Sequence, residues 1–176
     1  MADSYDDSGR LVQSVVNGKT ITFGYDPLGQ RVSKTSDGKT TRFAYDSEGH
    51  LIGEYDADGK ARQEIVWLGD LPVALFTYEA GKLKDSFAIH TDHLGTPREL
   101  TRQGNTVVWR WEGEPFGNSL PNEDVDGDGQ KVSFNLRFPG QYHDSETGRF
   151  YNYFRDYNPA TGRYVQSDPI GLAGGG

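Results

Sequence analysis

"KTITFGYDPLGQRV", Lys19–Val32, decides the fold. Its first half alternates: Ile21, Phe23 and Tyr25 fall on one side of an extended chain, with Thr20, Thr22 and Gly24 on the other. That period of two is what a strand with one buried face requires. Asp26-Pro27-Leu28-Gly29 follows. Proline presets the first turn position and glycine supplies a left-handed exit, so the chain should double back.

The unit recurs. "YDDSGRL" starts at Tyr5, "YDPLGQRV" at Tyr25, "YDSEGHLI" at Tyr45 and "YDADGK" at Tyr55, spacings of 20, 20 and 10 residues. Between them lie Asn17-Gly18 and Asp37-Gly38, which suit two-residue hairpin turns because these residues tolerate positive φ. "KTTRFAYD" repeats the alternation with Thr41, Phe43 and Tyr45. Later turns are expected at Tyr78–Lys82, Thr91–Pro97, Arg102–Asn105 and Asp144–Arg149. "FAIH" and "TVVWRWEG" read as strands, with Trp109 and Trp111 sharing a face with Val107. "YNYFRDY", Tyr151–Tyr157, reads as a further strand lining the sheet.

The fold class is therefore all-β: repeated antiparallel hairpins, about one strand per ten residues, forming a curved or spiral β-strip. A lone hairpin is marginal in water, so neighbours must stack to bury each apolar face. Residues 1–117 carry the hairpin repeats, 118–134 an acidic loop, and 135–176 a distinct C-terminal segment.

Composition agrees. Ten Tyr, nine Phe and three Trp in 176 residues give a core of rings, which a disordered chain lacks. A net charge of −8 argues against a nucleic-acid surface. No stretch reaches the roughly 18 apolar residues of a membrane span. "MADSYDDSGR" has neither a basic start nor an apolar run, so no signal peptide is expected in this fragment. Without cysteine, disulfides and thiolate metal ligands are excluded.

The Tyr-Asp-x-x-Gly units, "HTDHLGTPRELT" at His90–Thr101, "VVWRWEGEPFG" through Gly117 and the run Asn135–Gly175 together resemble the bacterial RHS-repeat, or YD-repeat, proteins. The last forty residues resemble the terminal part of that family's core. The resemblance implies a secreted or cell-surface bacterial protein. Its repeats would wind into a hollow shell that encapsulates a C-terminal toxin used in bacterial competition. The implied partners are the remainder of the shell and the toxin, with no cofactor. Few repeats and a single Asp-Pro-x-Gly-Leu suggest an excised piece or a short remnant.

In the family the terminal segment is an aspartic autoprotease. The matching positions here are Arg155, Asp156 and Asp168. Two close carboxylates can share a proton, one activating water and the other polarising the scissile carbonyl, while an arginine orients them. Twelve residues separate Asp156 from Asp168, so only a fold-back turning at Asn158–Gly162 brings them together. The bland alternative is turn capping, the role Asp26 plays. The expected scissile bond lies beyond Gly176, so the segment is read as a vestigial or incomplete site without activity.

Three weaker signals remain. Asp124, Asp126 and Asp128 alternate as a calcium loop begins, but Asn135 stands where a bidentate glutamate belongs. An acidic solvated loop is the alternative. His90 and His93 flank Asp92 with too few neighbours for zinc, so a polar turn is expected. Aromatic strands could bind sugar as an adhesion module, though such rings mostly pack as core. Open sheet edges should favour self-association or capture of a complementary β-strand peptide.

Overall fold

The computed structural model describes residues 1–167. They form strands only, with no helix. The first sheet holds β1 (Ala2–Tyr5), β2 (Leu11–Val16), β3 (Lys19–Tyr25), β4 (Arg31–Ser36), β5 (Lys39–Tyr45), β6 (Leu51–Tyr55), β7 (Ala61–Leu68), β8 (Leu71–Glu79), β9 (Lys82–Thr91), β10 (Pro97–Arg102) and β11 (Thr106–Arg110). Every strand pairs antiparallel with its neighbour in sequence, giving an open eleven-stranded meander, not a closed barrel. A second sheet, β12 (Tyr142–Asp144), β13 (Arg149–Asn152), β14 (Arg155–Asn158) and β15 (Arg163–Tyr164), follows the same order.

The Tyr-Asp-x-x-Gly turns share one geometry. The glycine N–H donates to the aspartate carbonyl, at 2.9 Å from Gly9 to Asp6 and 3.0 Å from Gly29 to Asp26. The aspartate Oδ1 accepts the N–H four residues on, at 2.9 Å from each of Arg10, Gln30 and His50. This local side-chain bond is why aspartate opens the turn. Gly29 at φ +90° takes the left-handed exit. The alternate turns, Asn17-Gly18 and Asp37-Gly38, hold both residues at positive φ, the twist that suits a two-residue hairpin.

The repeat tyrosine has its own task. Tyr25 Oη donates to the Leu11 carbonyl at 2.7 Å, and Tyr45 Oη to the Arg31 carbonyl at 2.9 Å. Trp67 Nε1 does the same to Leu51 at 2.9 Å. Each ring packs inward and ties its unit to the first strand residue of the unit before.

The inward face is apolar as the alternation requires: Leu11, Ile21 and Phe23 form one cluster. A larger one runs from Phe43 and Leu51 through Leu75, Leu100, Trp109 and Trp111 to Tyr142 and Tyr151. Beyond Arg110 the chain doubles back along β11, where Arg110 and Asn122 pair and Val125 N–H donates to the Val108 carbonyl at 3.2 Å. Phe134 then stands edge-on to Trp109 at 5.5 Å, and Phe138 packs on Trp111 at 5.3 Å.

Two strand readings need correction. Val107 does not share the tryptophan face: a bulge between Leu100 and Thr101 puts Leu100 opposite Trp109 and Thr101 opposite Val107. The extra residue shifts the phase, and Val108 is fully buried instead. Tyr151–Tyr157 is not one strand but a hairpin, β13 and β14, with Asn152 opposite Arg155 and Tyr153 at φ +54°.

Candidate functional site

The second sheet lies against the inward face of the first, and buried ions pin it there. Arg31 Nη1 donates to Asp144 Oδ2 at 2.5 Å, and Lys34 Nζ reaches Asp144 Oδ1 at 3.0 Å and Glu146 at 2.8 Å. The guanidinium also sits over the rings of Phe23, Phe43, Tyr142 and Tyr151, nearest Tyr151 at 4.2 Å. Its main-chain N–H donates to Tyr151 Oη at 2.9 Å. Such a lock offsets the desolvation of each charge through its partners, although Arg31 Nε is buried without a hydrogen-bond acceptor. Burial works to raise the Asp144 carboxyl, yet the charges of Arg31 and Lys34 hold it below its ordinary value. Farther along, Arg149 pairs with Asp3 of β1 at 2.7 Å.

Beside this lock lies Asp156, on β14 and 4% exposed. Burial pushes its carboxyl up to about 6, opposed by a hydrogen bond from Gln166 and reinforced by the negative charge of Asp144. The expected fold-back exists: Asn158 pairs with Arg163, Tyr157 with Tyr164, and Val165 N–H donates to the Asp156 carbonyl at 2.8 Å. It brings Gln166 against Asp156, with Gln166 Nε2 donating to Oδ2 at 2.6 Å and its Oε1 accepting the Asp156 N–H at 2.7 Å. Arg155 stacks its guanidinium 3.9 Å over the Tyr164 ring. Asp168 lies outside the described residues. The geometry thus supplies a buried carboxyl of raised proton affinity at the base of the β14–β15 hairpin.

A cavity of about 550 Å³ opens between Lys60, Lys84 and Lys131, and another of about 450 Å³ between Trp67, Phe138 and Tyr142. Neither is lined by Arg155 or Asp156.

The three loop carboxylates do converge, their oxygens within 4.8 Å of one another. Arg102 already meets them, pairing with Asp128 at 2.8 Å and Asp126 at 3.6 Å, while Asp124 accepts the Gly129 N–H at 3.2 Å. Calcium wants six or more oxygens, and a cation there would have to displace the guanidinium. The donor set therefore fits an arginine-pinned loop better than a metal. His90 bonds Thr101 Oγ1 at 2.8 Å, and Asp92 caps its turn through Leu94 and Thr96. Trp109 and Trp111 are wholly buried, so they offer no sugar platform.

Sequence reading missed Arg31, Lys34, Asp144 and Gln166. The signal for two of them was present. Aligned on the repeat, Leu11, Arg31 and Leu51 share one position, and Ser14, Lys34 and Glu54 another. All six are buried. Ionisable residues at inward positions of a β-strip demand partners.

These features define a class: an antiparallel hairpin-repeat strip whose own C-terminal sheet is docked on its inner face. A family model described as RHS Repeat matches residues 5–37, and one described as RHS protein matches residues 89–123. Both stretches of the chain therefore carry RHS-type sequence. The chain is 44% identical over 86 residues to Toxin protein Tse5 of Pseudomonas aeruginosa, 49% of this chain and 6% of that protein. It is 41% identical over 90 residues to Double-stranded DNA deaminase toxin A of Burkholderia cenocepacia, 51% of this chain and again 6% of that protein. The chain thus matches only a small part of the length of these relatives. Among solved structures, TcdB2-TccC3 without its hypervariable C-terminal region shares the fold over 97% of this chain and 9% of that one, with a TM-score of 0.69 at 18% identity.

Proposed function

We propose that this chain is a structural scaffold, a segment of an RHS core that encloses and delivers a C-terminal toxin outside the bacterial cell. The observation that carries this reading is the open meander. Each unit buries its rings against the next unit and against the docked C-terminal segment, so the architecture extends by adding units. The toxin names of the matched relatives support the same direction. Among the described residues nothing pairs with the outer edge of β1. That edge is proposed to take the adjoining part of the strip, or a second copy of this chain. Sedimentation velocity tests it: the 176-residue chain should associate with rising concentration, and Tyr5→Pro, which removes an outward-facing N–H between the inward-facing Ser4 and Asp6, should abolish this. A monomer at every concentration would overturn the edge assignment.

A second reading is favoured by one observation, the buried Asp156 with its raised carboxyl. In this reading Asp156 and Asp168 are the carboxyl pair of an aspartic autoprotease, with Arg155 as the flanking cation, and Asp156 is the partner that holds the proton. Intact-mass spectrometry over days at pH 6, on the chain extended after Gly176 by a second Asp-Pro-Ile-Gly-Leu segment that supplies the expected scissile bond, separates the two. An unchanged mass supports the scaffold alone. A cut that is lost in both Asp156→Asn and Asp168→Asn supports the protease.

A further inference from the structure

The Asp156 carboxyl is held by one side chain from the far arm of its own hairpin. Gln166 is placed there by the β14–β15 pairing and by the Val165 N–H bond to the Asp156 carbonyl. Its carboxamide makes two bonds to the same residue, accepting the main-chain N–H at 2.7 Å and donating to Oδ2 at 2.6 Å. The chemistry fixes which end does which. A main-chain N–H can only donate, so the amide oxygen must face it, and the nitrogen must then face the carboxylate. No other side chain of this length offers one acceptor and one donor in that order at every pH. A glutamate would do so only while protonated, and a leucine never.

We propose that Gln166 is the positioning residue of the candidate carboxyl: by occupying Oδ2 it leaves Oδ1 as the atom that takes up and releases the proton. This rests on the protease reading for its purpose, though not for its test. The direction of the two bonds has a chemical consequence. When Asp156 is neutral, Oδ2 keeps its role as acceptor from Nε2, and the acidic hydrogen resides on Oδ1. When Asp156 is ionised, the same amide bond becomes charge-assisted and favours the anion. Gln166 therefore opposes the burial that keeps the carboxyl protonated. Among the described residues no other side chain donates to that carboxylate: Arg31 and Arg149 act on it through their charge, each engaged with a different aspartate. Gln166 also stands two residues before Asp168 in sequence.

The test is a carboxyl-carbon NMR titration of Asp156 in the full 176-residue chain, alongside exchange of its amide hydrogen. Gln166→Leu keeps volume and removes both bonds. The Asp156 midpoint should rise by about one unit from its starting value near 6, and its amide exchange should quicken at least tenfold. Gln166→Glu should preserve amide protection in acid and lose it as the new carboxyl ionises. An amide fingerprint matching the parent shows that each variant is folded. A purely structural glutamine would leave the Asp156 midpoint in place in both variants, and that result overturns the proposal. Failure of the protease reading looks different: the midpoint moves as expected, while the chain extended by a second Asp-Pro-Ile-Gly-Leu segment shows no cut sensitive to Asp156→Asn in the mass spectra.

Discussion

The two sheets of this molecule are held by opposite means. The eleven-stranded sheet is assembled from contacts between neighbours in sequence: ladder bonds to the next strand, an aspartate closing each long turn, a ring tied one unit back. The four-stranded sheet has short strands, and its attachment depends on partners over a hundred residues away, Arg31 and Lys34 with Asp144 and Arg31 with Tyr151. Local contacts are redundant, since each unit repeats them. Distant ones are singular, since a buried charge stripped of its partner has no substitute nearby.

Damage should follow that contrast. Asp144→Asn leaves two buried cations facing a neutral amide, and we expect a loss of about 3–5 kcal/mol in urea unfolding. Replacing Arg31, Lys34 and Asp144 together by apolar residues of similar size should recover much of it. An equally large loss in the triple variant would break the account of the lock.

Asp156 should behave the other way. Its folded carboxyl is raised from 3.8 to about 6, so the folded state binds the proton more tightly than the unfolded one. Its contribution is fully favourable below about pH 4 and is lost as pH climbs to about 6. Asp156→Asn removes that loss. The variant should be more stable than the parent by up to about 3 kcal/mol above pH 6, with the gain vanishing in acid. Urea unfolding at pH 3.5 and 7 checks both ends.

Within the repeats, effects should be smaller and alike. Tyr25→Phe and Tyr45→Phe each leave a carbonyl of the preceding unit without its donor, costing about 1–2 kcal/mol. Unequal losses would show that the units are not equivalent. Smallest of all is His50, which bonds Asp46 at 2.9 Å and Asp70 at 3.1 Å and stacks on Trp67 at 4.5 Å, with Glu48 on the same turn. Burial works to lower its proton affinity, but the bonds to the two aspartates raise it overall. The stack is therefore strengthened below about pH 6.5 and relaxed as pH passes the raised value. Trp67 emission should follow that titration, and His50→Gln should remove it.

The repeat sheet was legible because its causes are local. Alternation at Ile21, Phe23 and Tyr25 and a turn at Asp26–Gly29 act within one unit, and the pattern repeats at Phe43 and Tyr45. Val107 was misplaced because a bulge inserts one residue without any mark in the letters around it. Tyr151–Tyr157 reads as one strand because rings at Tyr153 and Phe154 hide a two-residue turn where glycine is usual. The fold-back at Asn158–Gly162 was readable, since Asn, Pro and Gly announce it. Which residue met Asp156 was not, because the register that delivers Gln166 depends on pairing geometry that composition does not encode.

Arg31 has a last consequence. A strip of equivalent units offers a docking segment several indistinguishable berths, one every twenty residues, and nothing in the leucines of the flanking units would tell them apart. The single cation where Leu11 and Leu51 stand in adjacent units acts as an index mark. A duplicated or deleted unit elsewhere would leave the count of berths changed and the berth unchanged. A strip of this kind can thus vary in length over evolution while its end is still parked at one defined place.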